Sequence, residues 1–296
     1  MTSTLKKAPA KSNEYLISKT PKGVKILLSI IKYIVLAFFV VIAVGPLLWA
    51  FLSSFKSYAE INSSAFSLPT SINFKNYVDA FKYAPIAKFF LNSVVIVGVS
   101  LLITVVCVCM CAYVVSRFRF KGKIFITLLV SVALLLPAQA ISQPLFSMLK
   151  AFNLFDTKLG LELVYAAMGI PTSFFVMVSF FGSLPSALEE SAYIDGAGFV
   201  RTFVQIILPL AKPGIATIVI LQFINTWNEF FYALVLTSGN SARTVPIALN
   251  YYMGTFANNY SAMFAAVVMT VLPTILVFIF AQNQVIDSLT AGAVKE

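Results

Sequence analysis

From Phe89 to Tyr113 the chain contains no charged residue, and five other stretches are nearly as apolar: about 26–52, 124–144, 161–182, 214–237 and 262–284. Each is long enough to cross a bilayer whose hydrocarbon core needs about 20 apolar residues per helical span. A soluble fold of 296 residues, 59% hydrophobic and only 11% charged, has no interior large enough for such blocks, since soluble domains average about 45–50% and 25%. Inside lipid every backbone amide must find a partner within the protein, so the spans are expected to be helices. The short alternating segments of a membrane barrel are missing. The fold class read from the sequence is therefore an all-α membrane protein with six transmembrane helices. Pro46, Pro137, Pro171 and Pro273 fall inside those spans, where each removes one backbone hydrogen bond and bends its helix.

The net charge of +10 does not form one basic face, as nucleic-acid binding would require. Lys6, Lys7, Lys11, Lys19, Lys22 and Lys25 precede the first span, and Arg117, Arg119, Lys121 and Lys123 follow the second. By the positive-inside bias both groups are cytoplasmic. Six spans then place residues 183–213 and both termini in the cytoplasm, and 53–88, 145–160 and 238–261 outside. Lys56, Lys75, Lys82 and Lys88 in the outer segment run against the bias, diluted by Glu60 and Asp79. The expected domains are a basic tail over 1–25, a membrane domain over 26–284 and a short tail over 285–296. The N-terminal apolar run exceeds the roughly 7–15 residues of a signal-peptide core and is expected to stay attached as the first span.

Catalysis has little to stand on. The chain has no histidine, no phosphate-cradling glycine loop and no nucleophile paired with a base. Cys107, Cys109 and Cys111 sit two residues apart in one apolar run, a spacing unsuited to disulfides, and they read as small packing residues with no metal role.

The most informative stretch is LPSALEESAYIDGAGFVRTFVQIILPLAKPG, residues 184–214. Ser186 with Glu189 three positions on has the spacing of a capping box. A short helix through Tyr193 is expected, broken by Asp195-Gly196-Ala197-Gly198. A second helix follows from Phe199, interrupted by Pro209 and Pro213. The product is a helix-turn-helix knob on the inner membrane face.

Glu190-Ser191-Ala192, Gly196, Ile206 and Leu208-Pro209, at these offsets, resemble the EAA loop of ATP-binding-cassette importer permeases, with serine for the middle alanine. Asn92-Ser93, Ala112-Tyr113, Ser116-Arg117-Phe118, Phe120, Gly122 and Trp227-Asn228-Glu229-Phe230 are similar to the carbohydrate-uptake permeases of the maltose-transporter type, in particular the six-span partner of a heterodimer. The resemblance implies a sugar-importing permease that hydrolyses nothing itself, in a bacterial or archaeal cell membrane. It implies a homologous second permease, two ATPase subunits holding ATP and Mg, and an external sugar-binding protein, with no cofactor on this chain. It also implies that the first loop helix sits in a cleft of the ATPase. Glu189, Glu190, Ser191 and Asp195 would lie in that coupling element, with Glu190 on a basic residue and Ala192 against the cleft wall. Gly196 would make the turn, and Ile206, Leu208 and Pro209 would anchor the second helix.

Gln222, Asn225, Asn228, Glu229 and Tyr232 recur at three- and four-residue spacing in the fifth apolar segment, which on a continuous helix gives one polar face. A carboxylate at membrane depth costs at least about 2–3 kcal/mol, so Glu229 should meet water or a partner group. Substrate pathway and subunit or helix interface are both open readings of this face. Gln139 and Gln143, beside Pro137 and Pro144, are further pathway candidates. The rival class is a secondary carrier, which usually shows inverted repeats and buried charge. Glu229 is the one clear acidic residue at depth here.

Overall fold

A computed structural model describes residues 21–64, 66–252 and 259–293. The rest of the expected N-terminal tail and the last three residues lie outside them. The described chain is helical, and it divides into two compact units that meet between Leu52 and Ser53.

The first unit holds all but the last residue of α1, Lys22–Ser53. At 1.5 Å per residue its 32 residues reach about 48 Å, ample for a span of about 30 Å. It is apolar all round and passes through Pro46 unbroken. None of its most apolar window is buried, so its surface is suited to lipid or another helix and not to water.

The second unit begins with α2 (Tyr58–Ser63) and α3 (Lys75–Tyr83). A capping box does form here: the Ser57 hydroxyl accepts from Glu60 N, and Ser57 N donates to the Glu60 carboxylate at 2.7 Å. Thr70 donates to the same carboxylate through its backbone N–H at 2.9 Å and through its hydroxyl. These bonds, led by that hydroxyl, hold the Glu60 carboxyl down at about 2.

The bundle is built on α4 (Ile86–Arg117) and α7 (Lys158–Ser183), which lie against each other over most of their length. Small side chains permit that approach, as is usual between membrane helices. Ser100 and Thr104 are buried on α4, and the Thr104 hydroxyl donates to Ser100 O and Ala166 O. Two apolar clusters flank this polar seam. One gathers Phe89, Ile96, Leu161, Tyr165, Trp227 and Tyr232; the other gathers Val108, Tyr113, Phe174, Met177, Phe181 and Ile207. The last long helix, α13 (Tyr260–Ala293), packs on the fifth segment, where the Trp227 indole donates to Thr270 O at 3.0 Å.

Among the described residues four helices are long and apolar enough to span, and up to six if each of two bent pairs counts as one. The expected third span, 124–144, is one of these pairs. α5 (Lys123–Leu135) ends after 13 residues, about 20 Å, and α6 (Ala138–Ala151) turns away by 109°. Pro137 is the cause. Its ring disfavours helical angles in the preceding residue, and Leu136 sits at φ −78°, ψ 119°. Pro171 and Pro273 remain inside unbroken helices. The expected fifth span, 214–237, is also interrupted. α11 (Lys212–Trp227) and α12 (Phe231–Leu236) are separated by a non-helical stretch at 228–230. The sixth helix runs to Ala293, past the expected end at 284, and takes in most of the supposed C-terminal tail.

At the end of the bundle away from the knob, Asp156 accepts from Ser238 N and Gly239 N, both at 2.9 Å, tying the loop after α6 to the loop after α12. Partial burial raises its pKa, yet the bonds from Gly239 and Ser238 bring the carboxyl below the usual value. Asn92 and Ser93 act at the same end: Asn92 donates to Arg243 O at 3.0 Å and Ser93 Oγ accepts from Val245 N at 2.8 Å. These residues sit inside α4, not at its start.

Candidate functional site

The knob is α8 (Ala187–Ile194), a tight turn, α9 (Phe199–Thr202), a π-turn over Phe203–Ile207 and α10 (Leu208–Leu210). The chain then bends by 71° into α11, whose first turn contains Pro213. Gly196 ends α8 at φ +75°. Its N–H donates to Tyr193 O at 3.0 Å and the next, Ala197 N, reaches back to Ala192 O at 2.9 Å, the double bond pattern of a Schellman stop. Glycine takes that backbone conformation most readily, having no Cβ to clash.

Two expectations for the knob need correction. Ser186 does not cap: its angles, φ −64° and ψ −25°, are helical, and its hydroxyl makes no cap bond, whereas a capping serine needs extended angles. Glu189 is instead drawn to Arg117, Nε to Oε1 at 3.3 Å. Ala192, expected at the partner's wall, is only 4% exposed and packs within its own chain. The side chains that α8 presents outward are Tyr193 and Ile194, 82% and 83% exposed, with Glu190, Ser191 and Asp195 exposed beside them. Of the three expected anchors, Ile206 and Leu208 are half-buried against the inner cluster, while Pro209 is exposed. Ile207, not singled out in the sequence, is fully buried.

The second group of residues lies in the middle of the bundle. Glu229 sits in the break of the fifth segment and accepts three hydrogen bonds: from the Tyr165 hydroxyl at 2.7 Å, Tyr232 N at 2.8 Å and Ala233 N at 3.1 Å. It therefore caps α12 and ties it to α7. The helix break divides the expected single polar face. Gln222, Asn225 and Glu229 line a recess of about 270 Å³ with Tyr165, Thr172 and Ser173. Asn228 turns to α13, where its side-chain oxygen accepts from the Thr274 hydroxyl at 3.3 Å, and Tyr232 is buried in the apolar cluster. Gln139 and Gln143 lie on α6, exposed and outside the recess.

Gln222 donates to Tyr165 O at 2.9 Å and is itself packed onto Gly169, where an added Cβ would fall 2.2 Å from the Gln222 amide. Gly169→Ala is accordingly expected to push Gln222 from its seat. A loss of about 1–3 kcal/mol, typical of overpacking, should show as an earlier melting transition in detergent, and an unchanged transition would refute the contact. Neither Gly169 nor Tyr165 was legible as a site residue. Glycine and tyrosine in an apolar helix carry no signal until a facing helix is known.

Interrupted apolar helices around a polar recess, with a helical knob at one end, define an integral-membrane permease. Residues 105–286 match the family described as binding-protein-dependent transport system inner membrane component, and the chain belongs to that family, the permease subunits of ATP-binding-cassette importers. It is 39% identical to the diacetylchitobiose uptake system permease protein NgcG of Streptomyces coelicolor, over 90% of this chain and 88% of that one. It is 34% identical to the trehalose transport system permease protein SugB of Mycobacterium tuberculosis, over 86% and 93%. Against the arabinooligosaccharides transport system permease protein AraQ of Halalkalibacterium halodurans, identity is 33% over 88% and 94%. A solved chain of a bacterial ABC transporter involved in import of the acidic polysaccharide alginate superposes with a TM-score of 0.78 at 23% identity, covering 89% of this chain and 98% of that one. The two share a fold.

Proposed function

We propose that this chain is one half of the permease of an importer for a neutral sugar of two or more units, driven by ATP hydrolysis on partner subunits docked at residues 183–213. The observation that carries the reading is α8, a helix held by the bundle on one side and offering Tyr193 and Ile194 to solvent on the other. Large apolar side chains exposed together mark a surface for a protein partner. Arg117 at the knob, with Arg119, Lys121 and Lys123 just after it, supports a cytoplasmic position for this end. Both termini, with six crossings, then lie on the same side, and the loops at 53–88 and 238–261 face an external binding protein. The helix-turn-helix moves sugar only by favouring one access state through different contacts with the ATPase dimer in each.

The recess supports the substrate class. Its polar lining is made of amides, hydroxyls and the Glu229 carboxylate, with no Lys or Arg, which suits a neutral polyol better than an acidic sugar. Its roughly 270 Å³ falls below the ~300–1,000 Å³ of a site that encloses a small ligand alone. The missing wall is the homologous permease subunit. The substrates in the names of these three relatives, diacetylchitobiose, trehalose and arabinooligosaccharides, are uncharged sugars of two or more units.

The test is uptake of labelled diacetylchitobiose into liposomes holding this chain, its partner permease and two ATPase subunits, with the binding protein outside. Uptake should require ATP. Gradient-driven uptake by this chain alone would instead establish a secondary carrier. Within the same assay Gly196→Val strains the left-handed turn by about 1–2 kcal/mol and should lower ATP-dependent uptake about tenfold, since 1.4 kcal/mol is a factor of ten. Normal uptake by that variant would remove the docking turn from the mechanism.

A further inference from the structure

Arg117 lies in the last turn of α4, and its side chain makes contacts that the docking role of the loop does not require. Its Nη2 donates to Leu184 O at 2.7 Å, the residue that ends α7. Its Nε stands 3.3 Å from Glu189 Oε1 in the first turn of α8. One guanidinium therefore spans three elements: the C-termini of two long bundle helices and the start of the exposed knob helix. The pair is largely enclosed, with the Arg117 and Glu189 side chains 12% and 21% exposed. Tyr113, one turn back on the same face of α4, points at the same carboxylate. It also stacks on Phe203 with ring centroids 4.8 Å apart. Phe118, the residue after Arg117, packs edge-on to Phe199 at 5.5 Å.

We propose that Arg117 is a positioning residue for transport: through Glu189 it locks α8 to α4, so that displacement of the knob moves the bundle helices instead of being absorbed by the connector at 184–186. This rests on the importer reading above. The chemistry favours arginine, because its extended guanidinium hydrogen-bonds Leu184 O through one nitrogen while another faces the Glu189 carboxylate as an ion pair, a two-sided reach that a compact lysine ammonium lacks. An apolar contact would slide. An enclosed ion pair, with a backbone hydrogen bond on the other arm of the guanidinium, resists separation of α8 from the bundle. The docking face itself is untouched, since Glu190, Tyr193 and Ile194 are exposed and Glu189 is turned inward.

The experiment uses the whole complex in liposomes with labelled diacetylchitobiose as the probe, reading sugar moved and ATP hydrolysed in the same sample. Arg117→Ala should retain its ATPase subunits on purification but lower the sugar-to-ATP ratio about 5-fold or more, the lower end of ordinary coupling between sites. Arg117→Lys should fall between the two. The exchange Arg117→Glu with Glu189→Arg, which restores the pair in reverse, should recover part of the ratio. An unchanged ratio in Arg117→Ala overturns the proposal. So does loss of transport and hydrolysis in equal proportion, or loss of the ATPase subunits, because either would make Arg117 a residue of folding or assembly only. If the unsubstituted complex fails to take up sugar with ATP, the importer reading fails; only variants of a working complex bear on Arg117.

Discussion

A chain carrying Tyr193→Asp and Ile194→Asp is expected to fold as before and to lose its ATPase subunits on purification. Both side chains are more than four-fifths exposed, so their replacement removes no internal packing, and surface changes of this kind ordinarily stay within about 0.5 kcal/mol of neutral. At a docked interface the sum differs. A tyrosine anchored in a partner's pocket is worth about 2 kcal/mol or more, which is roughly a 30-fold loss of affinity by the tenfold-per-1.4 kcal/mol rule, and a carboxylate in its place adds the cost of an unpaired buried charge. The check is size-exclusion of the co-expressed complex beside a melting curve of the permease. Full retention of the ATPase with both substitutions would show that the outward face of α8 is not the contact.

Glu229→Leu should have the opposite profile, a large loss of stability. The carboxylate accepts from the Tyr165 hydroxyl, Tyr232 N and Ala233 N, and leucine fills a similar space while accepting nothing. Each orphaned donor costs about 1–3 kcal/mol. Even with partial relaxation the total of about 3 kcal/mol or more is a substantial part of the ~5–15 kcal/mol that holds a domain together. Thermal unfolding in detergent measures it. Asn225→Leu is the control, because Asn225 lines the same recess exposed. It should melt close to the parent and alter sugar uptake instead. If Glu229→Leu melts with the parent, the carboxylate does not hold the broken helix and its place in the recess becomes its main role.

The knob separates what local sequence specifies from what packing specifies. The spacing Glu190-Ser191-Ala192, Gly196, Ile206, Leu208-Pro209 placed the knob, its two helices and its turn, because each signal is local: a glycine stop, a proline interruption, a short polar helix. The partners of those residues were not local. Glu189 has the spacing of a cap for Ser186, yet it meets Arg117, 72 positions earlier in the chain, and a charge at short range outweighs a neutral hydroxyl. Ala192 and Tyr193 are adjacent, and only the packing of α8 decides that the first turns in and the second out.

Apolar runs by themselves determined that this chain lives in a bilayer and is helical there, because hydrocarbon admits no unpaired backbone. They could not determine whether a run stays straight. Pro171 and Pro273 are carried inside unbroken helices while Pro137 ends one, and the fifth segment parts at 228–230 with no proline there at all. At 228–230 the N–H groups of Tyr232 and Ala233 are taken by the Glu229 carboxylate, which the Tyr165 hydroxyl of α7 holds in place, and that arrangement exists only once α7 and the fifth segment are packed together.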